Sequence, residues 1–240
     1  MISIVMSVPL CAQWLNYPTP GVPRLPDGKP NLSAPAPKTA DGKPDLSGVW
    51  MTKGGYTGNI AKDLKPGEVS FEPWADTLYK HRVETSGKED PQARCVLSGV
   101  PRENVVPYPF KILNTNASIV VLYEALHSYR QIFMDGRGHP KDAEPTYMGH
   151  SVGKFEGDTL VIDTVGFNDK TWLDPMGLPH SDAMHLTERM RRVNHDTLVD
   201  EYTIDDPKAY TKPWKTQRTF ILKPDWQIQE YVCTENNNVK

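Results

Sequence analysis

HLTERMRRVNHDTLVDEYTI, residues 185–204, is two alternating runs around a polar turn. Asn194, His195 and Asp196 are residue types that tolerate turn geometry. A three-residue turn there pairs Val193 with Thr197. Counting back sets Arg192 opposite Leu198, Met190 opposite Asp200, Glu188 opposite Tyr202 and Leu186 opposite Ile204. Side chains on a strand alternate faces. One face therefore carries Leu186, Glu188, Met190, Leu198, Asp200, Tyr202 and Ile204. The other carries His185, Thr187, Arg189, Arg191, Val199, Glu201 and Thr203. The first reads as the inside of a barrel, the second as a solvated ladder with an Arg189–Glu201 pair. A slip of one residue would exchange the two faces.

Working outward, the same signals recur. Phe110–Thr115, Ile119–Ala125, Tyr129–Met134, His150–Phe155, Thr159–Phe167, Thr216–Leu222 and Ile228–Cys233 are short β-rich runs between turn residues. With Gly48–Thr52 in front, about ten strands are expected. Successive hairpins make an antiparallel up-and-down sheet, and closing it into a barrel removes the exposed edges. The Glu156-Gly157-Asp158 turn leaves two registers open. A three-residue loop pairs Ser151 with Asp163; a two-residue loop pairs Val152 with Asp163. Proline is abundant, 22 of 240 residues, about twice the usual share, which argues against a mostly helical fold. One short helix is expected near Trp74–Val83. The fold class is all-β, and the length suits one large domain with an appendage.

Met1–Ala12, MISIVMSVPLCA, is apolar and uncharged. It reads as a signal peptide cut after Ala12, although it lacks a basic start. It is too short to span a bilayer, so no integral membrane segment is expected in the mature chain. Residues 13–45 form a Pro-rich extended arm containing DGKPNLS (27–33) and DGKPDLS (41–47). Two copies do not make a solenoid. Residues 46–240 are the barrel domain, with NDKTWLDPMGLPHSDAM (168–184) long enough for a lid. Once Cys11 is removed, Cys95 and Cys233 remain. In an exported protein, secreted or periplasmic, an even pair predicts a disulfide; two free buried thiols are the rival reading. Neither cysteine sits in a CxxC pair, so zinc or dithiol chemistry has no support. Net charge is −3, with 27 Lys+Arg against 30 Asp+Glu. There is no basic surplus to neutralise phosphates, so no nucleic-acid partner is expected.

Glu188 and Asp200 fall among apolar neighbours. A buried carboxylate needs a raised pKa or a cationic partner, and either condition suits acid–base work. Arg130 shares a face with Ile132 and Met134, and an arginine on an apolar face wants a bidentate carboxylate. The candidate catalytic set is Glu188 as general acid or base, Arg130 for an anionic group, and His150 or His180 as proton relay. Tyr202, Asp200, Trp172, Asp163 and Tyr123 are candidate ligand contacts. The rival readings are a structural Arg130–Glu188 ion pair and a structural His150. Ser151, His150 and Asp163 make no triad, because adjacent strand residues face opposite sides and no G-x-S-x-G elbow is present. His180, His185 and Glu188 make no metal set, because His185 and Glu188 also face opposite sides. Asp135–His139, DGRGH, reads as a turn rather than a phosphate loop. No metal or organic cofactor is expected.

Two resemblances add to this. DLSGVW (45–50) resembles the Gly-x-Trp opening of lipocalin-like (calycin) barrels. GHSVGKFEGDTLVIDTVGFND (149–169), LPHSDAMHLTERMRR (178–192) and IDDPKAYTKPW (204–214) resemble an uncharacterised exported family of soil bacteria. The resemblance implies export and a lipocalin-like barrel, but no particular reaction. Such barrels commonly carry small apolar ligands, and a minority are enzymes. The expected function is binding of a small, partly apolar molecule in the interior, with its hydrolysis or elimination by acid–base catalysis. The alternatives are a non-catalytic carrier and a structural envelope protein with a filled barrel.

Overall fold

A computed structural model describes residues 22–31, 33–115, 117–142 and 144–236. The expected signal segment lies outside the described residues. Nine strands close into one barrel: β1 (Gly48–Thr52), β2 (Phe110–Asn114), β3 (Ser118–Tyr123), β4 (Tyr129–Phe133), β5 (His150–Glu156), β6 (Thr159–Val165), β7 (His185–Arg192), β8 (Thr197–Asp205) and β9 (Trp214–Leu222). Each strand pairs with the next, and β9 returns to β1 through Trp50↔Leu222.

Two expectations change. Among the described residues the strand count is nine, because Ile228–Cys233 is not a strand; the chain there is irregular up to α2 (Cys233–Asn236). β9 has already paired with β1, so the closed barrel offers no free edge for that run. The sheet is also mixed, because β4 and β5 run parallel. A ring of alternating strands closes antiparallel throughout only if their number is even. Nine strands therefore require one parallel step, and residues 134–149 make that crossover on the outside.

The 185–204 hairpin has the register read from its turn, from His185↔Asp205 through Glu188↔Tyr202 to Arg192↔Leu198. Leu186, Glu188, Met190, Asp200 and Tyr202 are all buried in the barrel. Arg189 does face Glu201 across the ladder. Its ion pair, however, is with Glu156 at 3.0 Å, while Glu201 lies 3.5 Å from Lys215. The 156–158 turn takes the two-residue form, so Val152 faces Asp163.

The interior is packed with large side chains. Trp50, Phe110, Ile162, Leu186, Tyr202 and Phe220 are essentially inaccessible. At the parallel seam Gly153 faces inward; a Cβ there would lie 2.8 Å from both Ile132 Cγ2 and Met134 Sδ. That missing side chain is what lets β5 approach β4.

One barrel end is closed by residues 98–106, by the 168–184 loop and by the segment after β8. Asp174 accepts from the Ile60 and Leu178 amides, and the Tyr210 hydroxyl donates to the Pro179 carbonyl at 2.6 Å. The helix α1 (Pro73–Glu84) lies where one was expected, started by a proline whose fixed φ suits the first turn. Its Arg82 stacks over Trp172 at 4.5 Å.

The described part of the arm, residues 22–31 and 33–45, crosses the opposite end. Its two DGKP copies fold into the same turn 14 residues apart. Gly28 N–H donates to Leu25 and Gly42 N–H to Thr39, with φ of +83° and +80° at the two glycines. That left-handed conformation is the reason for glycine there. Cys95 and Cys233 form the expected disulfide. No helix of the described residues is long and apolar enough to cross a membrane.

Candidate functional site

Within the barrel, the Arg130–Glu188 pair exists. Arg130 Nη1 donates to Glu188 Oε1 at 2.9 Å and Nη2 donates to Oε2. Nε donates to Ser151 Oγ at 2.9 Å, and Nη2 also donates to Thr164 Oγ1 at 2.8 Å. Four of the five N–H groups of the guanidinium are thus taken, and the Tyr123 hydroxyl lies against the same group. Above them, Tyr123 donates to Asn104 Oδ1 at 2.7 Å, and Asn104 Nδ2 donates to the Tyr202 hydroxyl at 3.1 Å. Burial, then neighbouring negative charge, raises the Tyr202 hydroxyl well above its ordinary pKa.

Asp200 is wholly buried, with the Tyr202 hydroxyl and the Glu188 carboxylate against its carboxyl. Burial, reinforced by the charge of Glu188, pushes its carboxyl well above the usual carboxylate range. An arginine saturated in this way has nothing left for an acidic ligand. The cluster is a satisfied ion pair beside a second buried carboxyl; of its members Arg130, with its partner Ser151, also reaches a cavity wall at the side of the barrel.

The open site lies at the parallel seam. β4 and β5 pair only through Ile132↔Ser151 and Phe133↔Val152. Beyond these residues, towards Tyr129 and Gly149, the strands part around a cavity of about 380 Å³. Tyr129, Phe133, Tyr147 and Met148 give it an aromatic and thioether wall; Ser128, Arg130, Ser151 and His150 add polar groups. A cavity with apolar walls and a few polar groups is a default ligand site.

His150 does not stand alone. Phe133 stacks on its ring, with centroids 5.2 Å apart. Its Nδ1 lies 3.0 Å from His139 Nδ1, and His139 Nε2 lies 2.9 Å from Asp163 Oδ1. His185 Nε2 reaches the same oxygen at 2.8 Å. Burial, then the His139 and Arg137 charges, lowers the pKa of His150, so the ring is neutral at pH 7. Asp163 only accepts, so the His139 Nε2 that faces it carries a proton. In the tautomer in which that is its single proton, His139 accepts at Nδ1 and His150 donates from Nδ1. Its Nε2 is left bare and basic. Among the described residues, no group of three or more His, Cys, Asp or Glu is arranged to hold a metal.

Ser128 links the slot to a second buried acid. Its hydroxyl donates to Glu103 Oε1 at 2.9 Å, while Glu103 Oε2 has no partner. Burial pushes this carboxyl up to about 7 from an ordinary 4.5. The folded protein then holds a proton that the unfolded chain releases above pH 4.5. The stabilisation is complete below that pH and is lost as pH rises to about 7. Urea unfolding of Glu103→Gln should therefore gain on wild type by roughly 3 kcal/mol between pH 4.5 and 7.5. Parallel pH profiles would refute the assignment.

The sequence-derived candidates thus fall into three groups. Glu188, Arg130, Asp200, Tyr202 and Tyr123 meet inside the barrel. His150 and Asp163 meet on its outer face, bridged by His139. His180 and Trp172 sit in the end cap. There the Thr171 hydroxyl lies 2.7 Å from His180 Nε2, and burial lowers the pKa of the ring. No hydrogen bond of the described residues joins His180 to either other group. His139 was not singled out as a site residue, because DGRGH reads as a turn; the parallel crossover is what lays it beside His150.

Fold and cavity together define a closed β-barrel with a side slot fit for a small molecule. No protein-family model matches this chain, and neither curated proteins nor solved structures give a match.

Proposed function

We propose that this protein is an exported β-barrel that binds a small, partly apolar molecule in the β4–β5 slot and moves a proton on it through His150. The observation that carries this reading is the Asp163–His139–His150 chain, which ends on a residue lining the slot. On taking a proton at Nε2, His150 keeps its Nδ1–H donating to His139, and Asp163 opposes the new charge through that ring. This is how a base is oriented for hydrolysis or elimination. The disulfide and the resemblance to exported lipocalin-like proteins support export and a ligand of this kind. The saturated Arg130–Glu188 pair moves the proposed chemistry out of the interior, which was its expected place. The aromatic wall favours one alternative, a carrier in which His150 only hydrogen-bonds the ligand.

Ring-nitrogen NMR of histidine-labelled protein tests the base. His150 should show a protonated Nδ1 and a bare Nε2, and should titrate below pH 6.5. A proton on Nε2 at neutral pH would remove the base and leave the carrier.

A further inference from the structure

A second site lies at the opposite end of the barrel, and it does not depend on the slot. Arg192 is buried there and its guanidinium donates only to backbone carbonyls. Nε and Nη2 donate to His195 O, and Nη1 to Asp45 O and Ser47 O at 2.9 and 3.2 Å. Carbonyl dipoles satisfy its N–H groups but do not neutralise its charge.

A cavity of about 320 Å³ opens beside it. Lys111 and Lys223 stand in its wall, with the Lys223 ammonium 4.9 Å from the Trp226 ring centre. Neither lysine pairs with a carboxylate among the described residues. His195 also lines the cavity; it is 3 % exposed and its Nδ1 has no hydrogen-bond partner. Among the described residues Asp45 supplies the single carboxylate of the wall, and its Oδ1 is already held by Asn114 Nδ2 at 3.0 Å and the Ser47 amide at 2.8 Å. Three cations and an unpartnered imidazole nitrogen thus surround a cavity otherwise walled by groups such as Trp226 and Leu222.

We propose that this cavity binds a small organic anion, a carboxylate on an apolar body. Lys111, Lys223 and His195 take the carboxylate, the unneutralised charge of Arg192 draws it in, and the apolar body lies against Trp226. A neutral molecule of the same shape leaves the cations without a partner. Inorganic phosphate leaves the apolar wall wet.

The test titrates the full chain with benzoate, benzamide and inorganic phosphate, followed by amide NMR. Benzoate should saturate with shifts at His195, Lys223 and Trp226, and should bind at least about tenfold tighter than benzamide or phosphate. In Lys111→Ala/Lys223→Ala, two half-buried surface changes, benzoate should weaken at least about fivefold with little change in melting temperature. Benzamide equal to benzoate overturns the charge recognition, and phosphate equal to benzoate overturns the apolar body. Benzoate that fails to saturate, shifts other residues, or binds the folded double variant as it binds wild type overturns the site.

Discussion

Glu188→Ala should lower the stability of the folded chain by about 3–5 kcal/mol. Glu188 is 0 % exposed and takes both ends of the Arg130 guanidinium, which is itself 2 % exposed. Removing the carboxylate strands a buried cation, and that loss greatly exceeds the net worth of the pair. A typical domain has only about 5–15 kcal/mol to lose. Removing both partners is a different matter. Arg130→Met/Glu188→Leu leaves no charge behind, so it should recover most of the loss, since buried pairs are often replaceable by apolar groups of similar volume. Ser151 and Thr164 lose a donor in that variant but retain each other at 3.1 Å. Urea unfolding of the two singles and the double gives the coupling. Additive losses, or a Glu188→Ala loss under about 1 kcal/mol, would mean that the pair is not the closed structural unit described above.

The second large effect is expected from the disulfide. Cys95 follows the short 3₁₀ turn Pro91–Arg94, and Cys233 begins α2 beyond the last strand. The bridge closes 138 residues. In the chain-entropy account, a loop of that length contributes about 4–5 kcal/mol by restricting the unfolded chain. It also fastens the tail after β9, whose Tyr231 ring packs edge-on to Tyr108 at 4.8 Å. Cys95→Ser/Cys233→Ser should therefore lose about 4–5 kcal/mol in urea unfolding, and wild type in reductant should match it. A loss below about 1 kcal/mol would show that the unfolded chain is already compact across this span.

The hairpin at 185–204 was legible because turn chemistry and alternation agree. Once Asn194–Asp196 is taken as the turn, each facing pair follows, and with it the burial of Glu188 and Asp200. The parallel seam was not legible. Nothing in DGRGHP or in the runs on either side marks strand direction; the parity of a closed ring does, and that depends on Ile228–Cys233 not being a strand. Its alternation resembles one, but a tertiary fact, the β9–β1 closure, removes its partner. The interior ligand site failed for a related reason. Alternation shows which side chains point inward, but not that Trp50, Phe110, Tyr202 and Phe220 together fill the space. His150 and Asp163 were found singly, while their junction through His139 needed the crossover.

The most direct test is a fragment titration mapped by amide and side-chain NMR, using phenol and indole on the labelled full chain. The slot predicts saturable shifts at Gln131, Met148, Gly149 and His150, lost when Thr146→Trp narrows its rim. Shifts confined to other surfaces, or unchanged in the folded Thr146→Trp variant, would contradict a binding site at the β4–β5 seam.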